Sequence, residues 1–307
     1  MYIAGHRGLV GSAVWREAQS RGISVVGKSH AELDLTVKPD VEAYIAETKP
    51  ASIVLAAARV GGILANSTYP AEFLYDNLQV QLNVIKTAVD NNVPKLLFLG
   101  TSCIYPKSAP QPISEDSLLT GPLEPTNAAF AIAKIAGVLH IQAVRRQYGL
   151  PYISAMPTNL YGPGDNFDLN SSHVMPAMIR KMHEAKVTEQ RYVDVWGSGS
   201  PLREFLHVDD AAKACLFLLD NYDEPEPINV GTGEDLTIRD LAMMVKEIVG
   251  FEGTLVWDSS KPDGTPRKQL DTRKINALGW KPAIGLEEGI RGTYAWFLEH
   301  VDQYAQL

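Results

Sequence analysis

Cysteine is scarce in this chain of 307 residues, which contains only Cys103 and Cys215. Two cysteines in so long a chain do not suggest a disulfide framework, so both are predicted to be thiols in a reducing cytoplasm. Positive charge is also scarce, because 28 Lys and Arg residues face 36 Asp and Glu residues and give a net charge of −8. Nucleic-acid backbones are bound by basic stripes, so the composition argues against a nucleic-acid-binding protein.

A basic leader is missing as well. The chain enters an apolar strand and a glycine turn at once, whereas a signal peptide begins with a basic segment before an apolar core. No apolar run is expected to reach the length of a membrane span, which predicts a protein that is neither exported nor membrane-embedded. The composition, 45% hydrophobic and 21% charged, is typical of a globular protein with one large domain or two that share a cleft.

The N-terminal segment predicts a strand, a tight turn and a helix. Tyr2–Ala4 is a short apolar strand, Gly5, Gly8 and Gly11 follow at three-residue spacing, and a helical pattern runs over residues 12–20. A glycine trio of this kind also occurs in ordinary turns. In this context, however, the glycines would let the backbone approach a pyrophosphate at the helix N-terminus, which predicts a dinucleotide site.

The second predicted strand, Ser24–Gly27, helps to choose between the two nicotinamide dinucleotides. NAD-binding proteins usually place an acid after this strand to bind the ribose 2′-hydroxyl, but no acid directly follows it here. Instead Lys28 and His30 follow, and they can converge with Arg7 on a 2′-phosphate. The alternative is that Lys28 and His30 belong to a solvated loop. The pattern favours NADP(H).

Strands and helices alternate through the first half of the chain. Apolar segments at 51–58, 95–100 and 151–156 predict strands, and the longer pattern at 70–91 predicts a helix. This alternation predicts an α/β fold with a Rossmann-like, doubly wound parallel sheet. Ligands of such sheets bind outside the carboxyl ends of the strands, where residues 59–66 are predicted to form a loop.

The pattern changes after Tyr161, where turn-rich segments separate shorter strands and helices. This half predicts a smaller α/β C-terminal substrate-binding cap over the ligand edge of the sheet. The expected division is residues 1–160 plus about 204–231 for the NADP-binding domain, and about 161–203 plus 232–307 for the substrate.

The segment Pro125–Lys134 places an aromatic ring and an amine on one helix face, because Phe130 and Lys134 are four residues apart. In isolation such a pair is most simply a core Phe above a surface Lys. Together with Gly100–Pro106 upstream and the glycine turn, the layout resembles the extended short-chain dehydrogenase/reductases. In those enzymes a hydroxyl residue, a Tyr and a Lys handle the proton that accompanies hydride transfer.

A more specific resemblance is to the GDP-L-fucose synthase family, and it extends from the first strand to Leu298. The segments that carry it are residues 5–12, 60–63, 102–107, 123–127, 156–163, 165–167, 172–174 and 203–210. The resemblance implies 3,5-epimerisation and NADPH-dependent 4-reduction of GDP-4-keto-6-deoxy-D-mannose.

The resemblance also implies which residues form the site. The implied catalytic residues are Thr101, Cys103, Phe130, Lys134 and His173. The implied NADP(H)-binding residues are Gly5, His6, Arg7, Gly8, Leu9, Val10, Gly11, Lys28, His30, Ala57, Leu99, Gly100, Thr101, Lys134, Pro157, Asn159, Leu160 and His173. The implied GDP-sugar-binding residues are Asn159, Lys181, Trp196, Arg203 and Asp271. No metal site is expected.

Two of these residues suit the epimerisation chemistry. C3 and C5 both lie alpha to the C4 ketone, so a base can remove either proton and an acid on the opposite face can invert the centre. Cys103 and His173 fit because a thiol and an imidazole titrate near neutral pH. Which is the base and which the acid stays open. The alternatives are a small buried hydrophobe at Cys103 and a locally satisfied helix-start residue at His173.

Phe130 departs from the family pattern, which has a Tyr at this position. A phenyl ring can neither donate a proton nor hydrogen-bond an oxyanion, so the reduction step is expected to be impaired. The change keeps the shape of the ring amid otherwise complete motifs, which favours an introduced substitution over a naturally inactive relative. Two other functions stay open: a different sugar-nucleotide epimerase or dehydratase, and a catalytically inactive NADP(H)-binding regulator.

The residues implied for GDP also have a physical rationale. Lys181 and Arg203 can neutralise a diphosphate, and Trp196 offers a stacking face unless it is core of the cap. Family members commonly carry Arg where Lys181 stands, which would weaken bidentate phosphate contact but keep the charge. The two-sided apolar pattern of 70–91, together with 128–148 and the family resemblance, predicts a homodimer joined by a four-helix bundle.

Overall fold

The computed structural model describes residues 1–304. Its strands are β1 (Tyr2–Ala4), β2 (Ser52–Leu55), β3 (Lys95–Leu99), β4 (Ile153–Pro157), β5 (Asn159–Tyr161), β6 (Tyr192–Trp196), β7 (Leu202–Arg203), β8 (Phe205–His207), β9 (Ile228–Val230), β10 (Leu236–Thr237), β11 (Thr254–Asp258) and β12 (Arg267–Lys268). Its α-helices are α1 (Leu9–Ser20), α2 (Lys38–Thr48), α3 (Ile63–Thr68), α4 (Pro70–Asp90), α5 (Ala128–Tyr148), α6 (Val174–Val187), α7 (Val208–Asn221), α8 (Ile238–Val249), α9 (Arg273–Ala277) and α10 (Leu286–His300).

A five-stranded parallel sheet forms the centre of the fold, in the order β1-β2-β3-β4-β9. Its strands are almost entirely buried, because helices cover both faces of a doubly wound sheet. Val26 bridges to Tyr2 beside β1, so the predicted strand Ser24–Gly27 is reduced to one paired residue. The predicted α/β class with a Rossmann-like parallel sheet is confirmed.

Apolar clusters on the two faces of the sheet hold its carboxyl edge in place. On one face, α2, α4 and α5 pack Ile45, Ile85 and Ile141 against the strands. On the other face, α1 and α7 contribute Val14 and Leu218. All five side chains are fully buried, and each such burial stabilises the fold by roughly 1.5–3 kcal/mol. The loops at the carboxyl edge therefore start from fixed strand ends.

A third apolar cluster forms the cap. Helices α6, α8 and α10 enclose Phe167, Ile179, Leu241 and Phe297. Beside this cluster β6 pairs in parallel with β11, and β7 pairs with β10 and β12. Strand β5 follows β4 directly and pairs with β8, which joins the cap to the central sheet. The cap is thus positioned over one edge of that sheet.

Residues 59–66 are only partly the loop that the sequence predicts. Helix α3 begins at Ile63, and the Gly62 amide donates to the Ser171 carbonyl at 3.0 Å. A helix of six residues with Ser, Thr and Asn near its end has a weak local signal, so tertiary contact decides its form.

The expectation that no apolar run matches a membrane span is wrong. The segment Pro125–Tyr148 is long and apolar enough to cross a membrane by length and composition alone, with a mean hydropathy of 1.4. Half of that apolar window is buried inside the protein, where α5 packs against α4 and the sheet. The fold uses this segment as a core helix.

Candidate active site

One cavity of about 660 Å³ lies between the carboxyl edge of the central sheet and the cap. Most of the site residues predicted from the sequence line it: Gly8, Leu9, Val10, Gly11, Leu99, Gly100, Thr101, Cys103, Phe130, Lys134, Pro157, Asn159, Leu160, His173, Lys181, Trp196 and Arg203. The others lie outside its lining: Gly5, His6, Arg7, Lys28, His30, Ala57 and Asp271. The fold therefore brings together every predicted catalytic residue and most predicted ligand-binding residues.

The glycine turn forms one wall of this cavity. Gly5 has a φ of +86°, and a Cβ there would lie 2.7 Å from the Ala57 backbone. At Gly11 a Cβ would lie 2.1 Å from the Gly5 carbonyl oxygen, so neither position accepts a side chain. Helix α1 begins at Leu9 without a side-chain cap, which leaves its first amides able to bind a pyrophosphate. Gly5 and Ala57 pack against each other outside the cavity lining and fix the conformation of the turn.

His6 packs behind the same turn. Its ring lies 5.1 Å from the ring of Trp15 and against Gly27, where a Cβ would approach Nδ1 to 2.7 Å. Nδ1 is buried without a hydrogen-bond partner in the described part of the chain. The ring thus fills the space between α1 and the residues beside β1.

The basic residues predicted to bind a 2′-phosphate are near acids. The Lys28 ammonium lies 3.7 Å from a Glu32 carboxylate oxygen, and His30 Nδ1 lies 3.8 Å from Asp34. Two hydrogen bonds from Ser29, with help from the charges of Lys28 and Arg7, lower the pKa of Glu32 to about 2. An acid therefore does follow this segment, although the sequence places it several residues downstream.

Lys134 and Phe130 lie on the buried side of the cavity. The Lys134 ammonium donates to the Leu99 carbonyl at 2.8 Å and lies 4.8 Å and 6.0 Å from the centres of the Phe98 and Phe130 rings. Burial lowers the pKa of Lys134 to about 7. The Phe130 ring packs edge-on against Phe73. This side of the cavity is apolar apart from the amine.

The nearby tyrosines do not replace the missing hydroxyl. The Tyr105 hydroxyl donates to Asn229 Oδ1 at 2.6 Å, and that of Tyr161 donates to the Leu286 carbonyl at 3.4 Å. Both side chains are buried, and burial raises the pKa of both phenols. Neither tyrosine lines the cavity.

Cys103 has polar partners, in contrast to the apolar surroundings of Lys134. Its sulfur accepts hydrogen bonds from Asn127 Nδ2 at 3.3 Å and from the Lys268 ammonium at 3.4 Å. Its amide donates to Thr101 Oγ1 at 3.3 Å, which fixes the turn after β3. The interpretation of Cys103 as a buried hydrophobe is therefore disfavoured, since the thiol is only partly buried and hydrogen-bonded.

His173 precedes α6 and makes no side-chain cap. Its imidazole is accessible from the cavity, where surrounding protein and the positive charge of Lys268 lower its pKa. The interpretation of His173 as a locally satisfied helix-start residue is not supported by any hydrogen bond of its ring in residues 1–304.

The residues predicted for GDP form a separate group in the cap. The ammonium groups of Lys181 and Lys261 lie 5.4 Å and 5.2 Å from the centre of the Trp196 ring. Trp196 is 46% exposed, which excludes the alternative that it is core of the cap. The Arg203 guanidinium donates to the Asp263 carbonyl at 3.2 Å, and burial lowers its pKa.

The other two residues predicted for the substrate are held by protein partners. Asn159 Nδ2 donates to the Glu204 carbonyl at 2.7 Å, so its side-chain orientation is fixed. Asp271 lies outside the cavity lining, and its carboxylate accepts from Arg273 Nε at 2.9 Å and from the Arg273 amide at 3.0 Å. Within residues 1–304 no group of three or more His, Cys, Asp or Glu side chains is arranged to hold a metal ion.

Sequence reasoning missed Asn127 and Lys268, which both contact the Cys103 sulfur. Asn127 lies in a segment that the resemblance already singles out. Lys268 gave no local signal, because it reaches the site through the pairing of β12 with β7, in which Lys268 is opposite Arg203.

Comparison with known proteins decides the family. The sequence model of the NAD dependent epimerase/dehydratase family matches residues 1–231. GDP-L-fucose synthase 1 of Arabidopsis thaliana is 59% identical over 302 residues, which cover 98% of this chain and 94% of that protein. This chain belongs to the GDP-L-fucose synthase family. The resemblance seen in the sequence is thereby confirmed.

Solved structures agree with this family assignment. A GDP-6-OMe-4-keto-L-xylo-heptose reductase from C. jejuni superimposes with a TM-score of 0.94 at 37% identity, over 97% of each chain. A GDP-L-fucose synthetase from Naegleria fowleri bound to NADP gives a TM-score of 0.89 at 28% identity, over 98% of this chain and 94% of that one.

Proposed function

We propose that this chain binds NADP(H) and GDP-4-keto-6-deoxy-D-mannose, epimerises the sugar at C3 and C5, and reduces it at C4 only slowly. The observation that carries the proposal is the meeting of Cys103, His173 and Lys134 around one cavity, in a chain of this family. The reaction belongs to GDP-L-fucose biosynthesis, and we place the protein in the cytoplasm.

Cys103 and His173 supply the proton transfers of epimerisation. One removes the proton from C3 or C5, and the other delivers a proton to the opposite face, so each centre inverts without net loss of a proton. Thr101 holds its hydroxyl at the same turn and hydrogen-bonds the C4 oxygen, on which the enolate charge develops. These residues need no nicotinamide for this step.

The reduction side has the amine but lacks the acid. NADPH, when bound, supplies the hydride that C4 requires. Lys134 is placed to bind the nicotinamide ribose, but Phe130 has no proton to give to the developing C4 alkoxide. Thr101 alone can donate to that oxygen, and this accounts for the proposed slow reduction.

NADP(H) is the proposed cofactor for three reasons. The uncapped N-terminus of α1 and the glycine turn suit a pyrophosphate, and Lys28 and Arg7 suit a 2′-phosphate. The Naegleria relative is a structure with NADP bound.

We propose that residues 1–160 with about 204–231 hold the cofactor and that about 161–203 with 232–307 hold the GDP-sugar. The separate apolar cluster of the cap supports this division. Lys181 and Arg203 would neutralise the diphosphate, and the exposed ring of Trp196 would stack on the guanine or its ribose. Asp271 would act from outside the cavity lining, through its ion pair with Arg273.

We also propose a homodimer joined through α4 and α5. Their outward faces carry Tyr75, Leu82, Ile132 and Leu139, which are 43% to 65% exposed. Two copies of this helix pair would bury these side chains in a four-helix bundle. Light scattering at micromolar concentration should give the dimer mass, and a monomer mass would contradict the proposal.

The experiment that tests the proposed function is deuterium exchange without cofactor. The protein is incubated with GDP-4-keto-6-deoxy-D-mannose in D₂O, and deuterium at C3 and C5 is followed by NMR. Deuterium should enter both positions, and Cys103→Ser should reduce its entry by about 10²-fold or more. No exchange in the parent would favour the cofactor-binding regulator, and exchange at one carbon alone would favour another epimerase.

A further inference from the structure

Lys268 has an unusual environment for a lysine in the cavity. Its ammonium makes no ion pair with a carboxylate within residues 1–304, and its hydrogen bond there is to the Cys103 sulfur at 3.4 Å. The residue opposite it on β7 is Arg203, which is also positively charged. A positive charge without an acid partner is therefore held directly against a thiol.

The backbone around Lys268 is fixed on both sides, so this contact does not depend on a flexible loop. The fully buried Glu204 accepts from the Leu270 amide at 2.7 Å and from the Gly233 amide at 2.8 Å. The Arg267 Nε donates to Asp235 at 2.6 Å. Strand β12 is thus held to β7 and to the loop after β9, and the ammonium is directed to the sulfur.

We propose that Lys268 stabilises the Cys103 sulfur as a thiolate and is a positioning residue for the ring-proton chemistry. This inference rests on the proposed function, because it concerns the same thiol. The thiolate takes the proton from C3 or C5 and becomes a thiol, while His173, entering as an imidazolium, gives its own proton to the opposite face of the ring and becomes neutral. Proton exchange with solvent then returns both groups to their starting states. Asn127 donates a second hydrogen bond to the sulfur and orients it.

The charges around the sulfur favour this state. The charged and titratable groups of this part of the cavity are Lys268, Arg203, Glu124, Asp263 and His173. Glu124 is ion-paired with Lys107 at 2.8 Å, and Asp263 accepts from Ser198. Burial and then the charge of Lys268 lower the pKa of His173. The Lys268 ammonium therefore favours an anionic sulfur.

A different role for Lys268 is a phosphate contact beside Arg203, since both side chains line the cavity. The two roles predict different consequences of removing the charge. A thiolate partner changes the pH at which the sulfur reacts, whereas a phosphate ligand changes only the affinity for GDP.

The test is the pH dependence of Cys103 alkylation by iodoacetamide, read by mass spectrometry of the modified peptide. Lys268→Met should move the midpoint of this profile up by about one pH unit or more, with about tenfold slower alkylation near neutral pH. Lys268→Arg keeps the charge and should keep the parent profile. If Lys268→Met does not fold, Lys268→Gln also removes the charge and provides the same comparison. Cys215 is buried, and burial raises its pKa to about 12, so it should not react in the folded protein.

Lys38→Met is the matched control, because it removes one surface charge on α2, where Lys38 pairs with Glu42 at 3.2 Å. It should leave the alkylation profile unchanged. An unshifted profile in both Lys268→Met and Lys268→Gln would overturn the inference, whether or not GDP binding measured by calorimetry also weakens. No turnover is needed, so a shifted profile in a protein without C3 and C5 exchange would uphold the role of Lys268 and reject the proposed function.

Discussion

The region of the cavity around Lys134 and the region around Cys103 and His173 differ in the polarity of their surroundings. On the reduction side, Lys134 is buried beside two phenyl rings and donates to one backbone carbonyl. On the epimerisation side, the Cys103 sulfur has two polar donors, and His173 is accessible from the cavity. One region carries an amine whose pKa is lowered by burial, and the other carries a thiol that accepts hydrogen bonds from an amide and an ammonium.

In the proposed mechanism, this difference would let one chain lose reduction and keep epimerisation. Both half-reactions act on the same C4 carbonyl, but in the proposed mechanism they draw protons from different residues. Phe130 removes a proton donor from the apolar side and leaves every contact of Cys103 in place. The comparison predicts that the two activities respond to separate substitutions.

The largest effect is expected on the reduction side. Phe130→Tyr should raise the rate of C4 reduction by about 10²–10⁴, the usual contribution of a positioned general acid. The new hydroxyl would lie beside the Lys134 ammonium, whose charge favours ionised phenol. Single-turnover oxidation of NADPH, followed by absorbance with epimerised substrate, measures this change.

Phe130→Leu is the control for that substitution, because it alters the side chain without adding a hydroxyl and should gain no reduction. The expected binding of NADPH and GDP-sugar changes little in either variant. A gain below a factor of about three in Phe130→Tyr, smaller than general-acid effects, would mean that another group supplies the proton.

A second prediction concerns the effect of the buried Lys134 ammonium on the stability of the protein. Burial lowers the pKa of Lys134 to about 7, so the unfolded chain holds this proton more tightly between about pH 7 and pH 10.5. Stability due to this group therefore rises with pH across that window. Lys134→Met should stabilise the protein near pH 7 by on the order of 2 kcal/mol, and less at higher pH.

Urea unfolding of parent and Lys134→Met near pH 7 and near pH 9, without nucleotides, measures this difference. Other titrating groups cancel, since both proteins contain them. A gap between the two proteins that grows as the pH rises would contradict a destabilising buried ammonium.

The smallest predicted effect concerns the choice of cofactor. NADPH should bind more tightly than NADH by roughly tenfold or more, because one charge-assisted phosphate contact contributes about 1.5–3 kcal/mol. Lys28→Met should reduce that preference. Glu32→Gln should increase it, since the Glu32 carboxylate lies 3.7 Å from the Lys28 ammonium and competes for its charge. Fluorescence titration gives both dissociation constants, and equal values in the parent would contradict the prediction.

The sequence was informative where chemistry is local. The glycine turn and the strands are continuous segments, so their spacing predicts the sheet. The motif around Cys103 is also continuous and is part of the family resemblance, which implies most of the predicted site residues that meet in the cavity. Helix α3 was missed because its six residues have little helix propensity of their own. The membrane-span expectation failed because α5 is long and apolar, with exposed Ile132 and Leu139 in addition to its buried residues.

The parts that the sequence could not predict depend on contacts between distant segments. Lys268 reaches Cys103 only because β12 pairs with β7. Glu32 comes several residues after Ser24–Gly27, and its contact with Lys28 depends on a turn stabilised by Ser29.

The most direct test of the account compares both sides of the cavity in one sample of the parent protein. NADPH and GDP-4-keto-6-deoxy-D-mannose are supplied together in D₂O, and deuterium at C3 and C5 is measured against oxidation of NADPH. The account predicts deuterium at both carbons while NADPH oxidation is slower by about 10²-fold or more. Reduction that keeps pace with exchange would contradict it, because Phe130 would then not be a missing acid.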